Sequence, residues 1–141
     1  MKIAKNHVIS AGVIIINEDN KILLIKPKGL SKGQYSIPKG QREKGEKLKE
    51  TAIREAYEEI GLILSESDLG KQFVINYFNN NILTKRVFCY LFKMNKEFES
   101  NFKPKLQKEE VDMSNFYSKE EFNELIFWRY KELAKISEIW S

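Results

Sequence analysis

Cysteine and histidine are nearly absent from this 141-residue chain, which has one of each, Cys89 and His7. A single cysteine excludes an internal disulfide and fits a reducing, cytoplasmic setting. With His7 as the sole imidazole, no histidine-based catalytic triad can be assembled. Cys89 lies in an apolar strand pattern with nothing to mark it as activated, so it reads as core rather than nucleophile. No run of about 18 apolar residues exists, so no membrane span is expected, and no signal-type apolar stretch follows the first residues. Internal repeats and low-complexity tracts are missing too. What remains, 42% hydrophobic and 31% charged residues, describes one ordinary globular domain over residues 1–141.

Charge is distributed unevenly. The net value is +4, but from Lys21 to Glu50 nine basic residues face three acidic ones. That local excess suits a polyanionic ligand, and a lysine-rich surface kept for solubility is the plainer alternative. The acidic counterpart follows at once. Between Gly40 and Leu62 the chain reads GQREKGEKLKETAIREAYEEIGL. At about 100° per residue, a helix over Lys47–Ile60 aligns Leu48, Ala52, Ala56 and Ile60 in one apolar row, broadened by Ile53 and Tyr57. Glu55, Glu58 and Glu59 share an arc beside it. Gly61 supplies the residue that most easily adopts a left-handed helix stop.

Three carboxylates this close repel by several tenths of a kcal/mol per pair. Arg54, four residues before Glu58, offsets part of that repulsion. A hard divalent cation is the natural remainder, because Mg²⁺ takes oxygen ligands and pairs carboxylates with substrate phosphate oxygens. A solvated helix face is the alternative, weakened because the spacing, the glycine loop and the lone arginine occur together.

The pattern Gly40, Glu46, Arg54, Glu55, Ala56, Glu58, Glu59, Gly61, Leu62 resembles the signature of the Nudix hydrolases at each fixed position. The resemblance implies an α/β fold, an α/β/α sandwich around a mixed sheet, and hydrolysis of a nucleoside diphosphate linked to another group. It also implies Mg²⁺ (or Mn²⁺) held by Glu55, Glu58 and Glu59 with the Gly40 carbonyl, and one glutamate, or an outside base such as Glu109 or Glu110, accepting the proton of water. Arg54 would orient Glu58 or Glu59, and Glu46 would brace the loop through a salt bridge. The lead-in Tyr35-Ser-Ile-Pro-Lys-Gly40 is similar to that of diadenosine tetraphosphate and inositol pyrophosphate hydrolases, with Tyr35 in place of tryptophan. On that likeness Tyr35, Lys39, Tyr77 and Lys85 are candidate substrate contacts, with Arg86 beside them.

The expected ligand is therefore a nucleotide or other polyphosphate. Dinucleoside polyphosphates come first, with 5′-triphosphate RNA ends or inositol pyrophosphates as rivals. A non-catalytic nucleotide sensor is the reading from another class. Nucleic acid enters only as a 5′-end substrate, since no aromatic–basic ladder is evident. No oligomeric state is implied.

The rest of the chain supplies a coarse map. Val8–Ile16 and Lys21–Lys26 flank a turn cluster and read as a hairpin. Gln34–Pro38 reads as a short strand and Lys39–Gly45 as a loop. Lys71–Asn79 and Ile82–Met94 form a second hairpin about an asparagine triplet. In the latter strand Val87, Cys89 and Leu91 face one way and Phe88, Tyr90 and Phe92 the other, so both faces should be covered. Asn95–Lys108 reads as a surface loop and Glu109–Phe116 as a last strand. Ser118 and Glu121 form a capping box that should open a helix to about Ile139, with Phe122, Leu125, Ile126, Leu133 and Ile136 inward.

Overall fold

A computed structural model describes residues 2–29, 33–107, 109 and 111–140. The β-branched run near the N-terminus forms the longest strand, β1 (Lys2–Asn17). It is followed by β2 (Ile22–Pro27), β3 (Lys39–Gln41), α1 (Leu48–Ile60), β4 (Gln72–Asn79) and β5 (Ile82–Met94). A short helix α2 (Lys96–Asn101), β6 (Val111–Tyr117) and α3 (Lys119–Leu125) complete the elements, with 3₁₀ segments at Glu66–Asp68 and Trp128–Lys135. The sheet has six strands in the order β4-β5-β1-β2-β6, with β3 paired to β1. Among the described strands β1 and β5 pair in parallel and the other pairs are antiparallel, so the sheet is mixed. Among the described residues no helix is long and apolar enough to cross a membrane.

Alternation along β1 explains the layering. Ile14 and Ile16 enter one core with Val87, Cys89, Leu91, Phe122, Tyr130 and Leu133. Val13 and Ile15 enter the other with Ala52, Ala56, Ile60, Tyr90 and Phe92. Successive strand side chains point to opposite faces, and here both faces are sealed, α1 on one and the C-terminal segment on the other. Each fully buried isoleucine or leucine contributes about 2 kcal/mol of hydrophobic stabilisation. The sandwich and the two-faced β5 thus match the expectation from sequence.

Four local expectations are corrected. The loop over Lys39–Gly45 begins as a strand, since Lys39, Gly40 and Gln41 pair with Gly12, Ala11 and Ser10. Gln34–Pro38 makes only isolated bridges, through Tyr35 and Ser36. The surface loop after β5 contains α2, whose first turn is capped by Asn95 Oδ1 accepting from the Phe98 N–H at 2.7 Å. The expected C-terminal helix stops at Leu125: Ile126 is extended (φ −70°, ψ 144°), because the chain there pairs with Tyr35. The Tyr35 N–H donates to Leu125 O and the Phe127 N–H to Tyr35 O, bonds a continuous helix would forbid. Of the residues expected inward, Phe122, Ile126 and Leu133 are buried and Leu125 and Ile136 are partly so. Tyr130, overlooked in that reading, is among the largest fully buried side chains.

Candidate active site

The Gly40–Leu62 stretch is positioned by two close approaches. At Gly12 a Cβ would lie 2.4 Å from Pro38 O, so only glycine lets the lead-in to β3 lie against β1, where the Val13 N–H donates to Pro38 O at 3.0 Å. At Gly40 a Cβ would lie 2.0 Å from Glu55 Oε1, so the β3 backbone and the Glu55 carboxylate occupy one small space. Helix α1 then starts from Lys47, whose N–H is accepted by Glu50 Oε1 at 2.8 Å. It ends at Gly61 with φ 73°, where the Gly61 and Leu62 N–H groups return to Tyr57 and Ala56.

Arg54 organises the acidic side of α1. Its Nε donates to Glu46 Oε2 at 2.7 Å and its Nη2 to Glu46 Oε1 at 3.0 Å. Nη1 reaches Glu55 Oε1 at 3.1 Å and Glu58 Oε2 at 3.2 Å, and Nη2 also donates to Gln41 O. The Thr51 hydroxyl and the Glu43 N–H complete the shell of Glu46. This guanidinium beside Glu46 holds the carboxyl at about 2, well below its ordinary 4.5. The same hydrogen bond to Glu46 raises Arg54 above its already high value.

Arg54 was expected to orient Glu58 or Glu59. It holds Glu58 and Glu55 but not Glu59, whose Oε1 accepts from the Lys39 N–H at 2.8 Å because Glu59 turns toward β3. Glu59 is buried, whereas Glu58 keeps 45% of its side chain exposed. Among the described residues no three His, Cys, Asp or Glu side chains converge closely enough to hold a metal ion. Arg54 Nη1 gathers Glu55 and Glu58, and Glu59 is held by the Lys39 N–H instead.

A second group forms on the opposite sheet face. Tyr77 of β4 stands directly across from Lys85 of β5, and the Lys85 ammonium lies 5.0 Å from the Tyr77 ring centroid. The Tyr77 and Tyr130 hydroxyls are hydrogen-bonded at 2.9 Å. Burial, and then the charge of Lys39, push Lys85 down to about 8. Burial raises Tyr77, and raises Tyr130 further, with the Glu59 charge adding to the latter. Lys39 and Glu59 are therefore felt by both groups. Strand alternation turns Arg86 to the opposite face from Lys85.

Tyr35 packs edge-on against Tyr117, ring centroids 6.1 Å apart, and joins the core beside Phe122 and Tyr130. Glu109 is exposed in a turn, without a hydrogen bond or ion pair among the described residues, and Glu110 lies outside them. His7 is half-buried in β1. Cys89 is wholly buried, and burial pushes its thiol up to about 12, which suits packing and not nucleophilic attack. Sequence reasoning missed Thr51 and the pair Trp128–Arg129. The Arg129 guanidinium carbon lies 4.5 Å from the Tyr77 ring and 4.3 Å from the Trp128 ring. The available signal was a Trp-Arg-Tyr run in a segment read only for its aliphatic stripe.

Comparison with known proteins places this arrangement. An ADP-ribose pyrophosphatase of Methanocaldococcus jannaschii is 52% identical over 50 residues, 35% of this chain and 30% of that protein. The chain spans less than a third of the length of the curated relatives it matches. Among solved structures, a Caenorhabditis elegans Ap4A hydrolase in a binary complex superposes with TM-score 0.72 at 20% identity, covering 91% of this chain and 93% of that one. The MutT protein of Methanosarcina mazei Go1 gives 0.71 at 22% identity, covering 95% and 94%. At these identities the likeness is one of fold. A NUDIX domain model matches residues 6–137, nearly the whole chain, and this protein belongs to the Nudix family.

Proposed function

We propose that this chain is a Nudix pyrophosphohydrolase cleaving a phosphoanhydride bond of a nucleoside diphosphate linked to another group, with dinucleoside polyphosphates such as diadenosine tetraphosphate as its substrates. One observation carries the reading. A carboxylate cluster wired through Arg54 lies beside Glu59, which accepts from the Lys39 N–H, and the Lys39 charge in turn acts on Lys85, whose ammonium lies 5.0 Å from the Tyr77 ring centroid. The first suits a hard cation, the second an anionic chain bearing a flat base.

The donor set suits a divalent ion in its chemistry, being oxygen-only and anionic (Glu55, Glu58, Glu59 and the Gly40 carbonyl), and binding one would bring these carboxylates closer together than they stand here. When bound, Mg²⁺ or Mn²⁺ would neutralise phosphate oxygens and lower the pKa of water. The residues themselves do the rest. Arg54 holds Glu55 and Glu58 in place, the Lys39 amide fixes Glu59, and exposed Glu58 is the carboxylate best placed to take a proton from solvent. Lys39 and Lys85 attract the phosphate chain. A setting in the cytoplasm is part of the proposal, as is one folded unit over residues 1–141.

Glu58→Gln and Glu59→Gln should each lower turnover by at least a hundredfold with folding intact. Unchanged turnover would defeat the site assignment. A substrate panel with Mg²⁺ should rank diadenosine tetraphosphate above ADP-ribose, triphosphorylated RNA and inositol pyrophosphates. The local identity to an ADP-ribose pyrophosphatase supports ADP-ribose as the second reading, and its preferential cleavage would install that reading instead. No cleavage of any member would favour a nucleotide sensor.

A further inference from the structure

We propose that Arg129, clamped between Tyr77 and Trp128, is a specificity-determining residue that seats the part of a polyphosphate chain lying beyond the scissile bond. This rests on the pyrophosphohydrolase reading for its substrate class and extends it to a residue of the C-terminal 3₁₀ segment, outside the Gly40–Leu62 stretch.

The geometry is that of a loaded cation. A guanidinium sandwiched by two aromatic faces is fixed in plane, and its N–H edge is left pointing outward for a bidentate anion. Arg129 has the Tyr77 ring 4.5 Å from its guanidinium carbon and the Trp128 ring at 4.3 Å. Trp128 keeps 61% of its surface exposed, so its ring is accessible to a ligand. Lys85 sits against the same Tyr77 ring at 5.0 Å, and the Lys39 charge reaches Lys85. Two cations are thus gathered round one tyrosine, with the charge of a third, Lys39, acting on one of them. No carboxylate pairs with Lys39, Lys85 or Arg129 among the described residues, although Glu132 lies only three positions from Arg129. Cations assembled without a counter-charge are stabilised when a polyanion supplies it.

In this proposal the cations engage successive phosphates. The Lys39 N–H donates to Glu59 Oε1, the Lys39 charge acts on Lys85 of β5, and Arg129 is on the covering segment. Two phosphates would engage the nearer lysines, and a third or fourth is needed to reach the arginine. Arg129 accordingly sets preference for long phosphate chains over a simple diphosphate, with the open Trp128 face available to a base.

The test is calorimetric titration of the full chain with inorganic tripolyphosphate and with pyrophosphate, in buffer containing a chelator. Wild type should bind tripolyphosphate at least tenfold more tightly than pyrophosphate. Arg129→Gln should erase that difference by weakening tripolyphosphate alone. Arg129→Lys should restore part of it, and Trp128→Leu, which removes one wall of the clamp, should weaken tripolyphosphate severalfold. Lys131→Gln, an exposed neighbour, should leave both affinities unchanged. A chain-length preference that survives Arg129→Gln, or an equal loss in Lys131→Gln, overturns the proposal. Should Arg129→Gln fail to fold, Trp128→Leu against Lys131→Gln decides on the same criterion. Arg129-dependent tripolyphosphate binding without hydrolysis of any panel substrate would instead sink the pyrophosphohydrolase reading and leave this seat standing. Hydrolysis with an Arg129-independent preference would do the reverse.

Discussion

Arg54 meets Glu46 edge to edge, Nε to Oε2 at 2.7 Å and Nη2 to Oε1 at 3.0 Å, and the same guanidinium holds Glu55 and Glu58. Glu46→Gln should destabilise the fold by about 2 kcal/mol, since it leaves Arg54 partly buried against a neutral partner. A calorimetric Tm lower by roughly 5–8 °C is expected. The folded carboxyl titrates at about 2 against an ordinary 4.5. Its stabilisation is complete above 4.5 and is lost as pH falls toward 2. The acid limb of the stability curve should therefore be shallower in Glu46→Gln than in wild type. Parallel limbs would contradict the pairing.

Gly40→Ala tests the approach of β3 to α1. The new methyl would stand where the Glu55 carboxylate now lies, and Glu55 is the end of a side chain that can swing away. Stability should fall by no more than about 1–2 kcal/mol, while turnover drops by at least tenfold. Full activity would show that Glu55 does not act from its present position. Gly12→Ala meets backbone instead, at Pro38 O, and should cost more stability than Gly40→Ala in the same denaturant titration.

Arg54→Gln leaves Glu43, Glu46, Glu55 and Glu58 without their shared cation. In chelator the variant should melt well below wild type. Millimolar Mg²⁺ should recover part of the loss, because an ion bound only by the folded state raises its stability by mass action. Equal Mg²⁺ response in both proteins would argue that the cluster is not where the ion sits.

Lys85 carries its charge below about 8, depressed by burial and by Lys39. Raising the pH from 7 to 9 discharges it, so KM for a polyphosphate substrate should rise severalfold across that interval. Lys85→Arg, charged throughout, should flatten the profile. A KM indifferent to pH in wild type would remove Lys85 from the binding face.

How much of this was legible in the chain depends on how local the cause was. The carboxylates of α1 were readable because helical spacing, Gly61 and the apolar row lie within fourteen residues of one another. The two-sided burial of β5 was readable from alternation alone. The break at Ile126 was not, because its cause is a distant tyrosine: Tyr35 takes the backbone groups of Leu125 and Phe127. The same holds for β3, a strand only by virtue of Gly12 on β1. Helix α2 was the avoidable miss, since Asn95 is an ordinary N-cap three residues before the amide it accepts. Arg129 became visible only once Tyr77 and Trp128 were seen on either side of it.

The parallel pairing of β1 with β5, in which Val13 lies beside Tyr90, has a consequence for how the molecule is made. During synthesis the N-terminal strand emerges long before its main partner, and its isoleucine run waits with one flank bare. The β1–β2 hairpin and α1 can form from neighbours, but the sheet centre must await a closure across most of the chain, which slows folding. Until the hairpin that carries Tyr77 and Lys85 is made, the unfinished chain presents an open β-edge, the kind of surface that pairs wrongly with other chains.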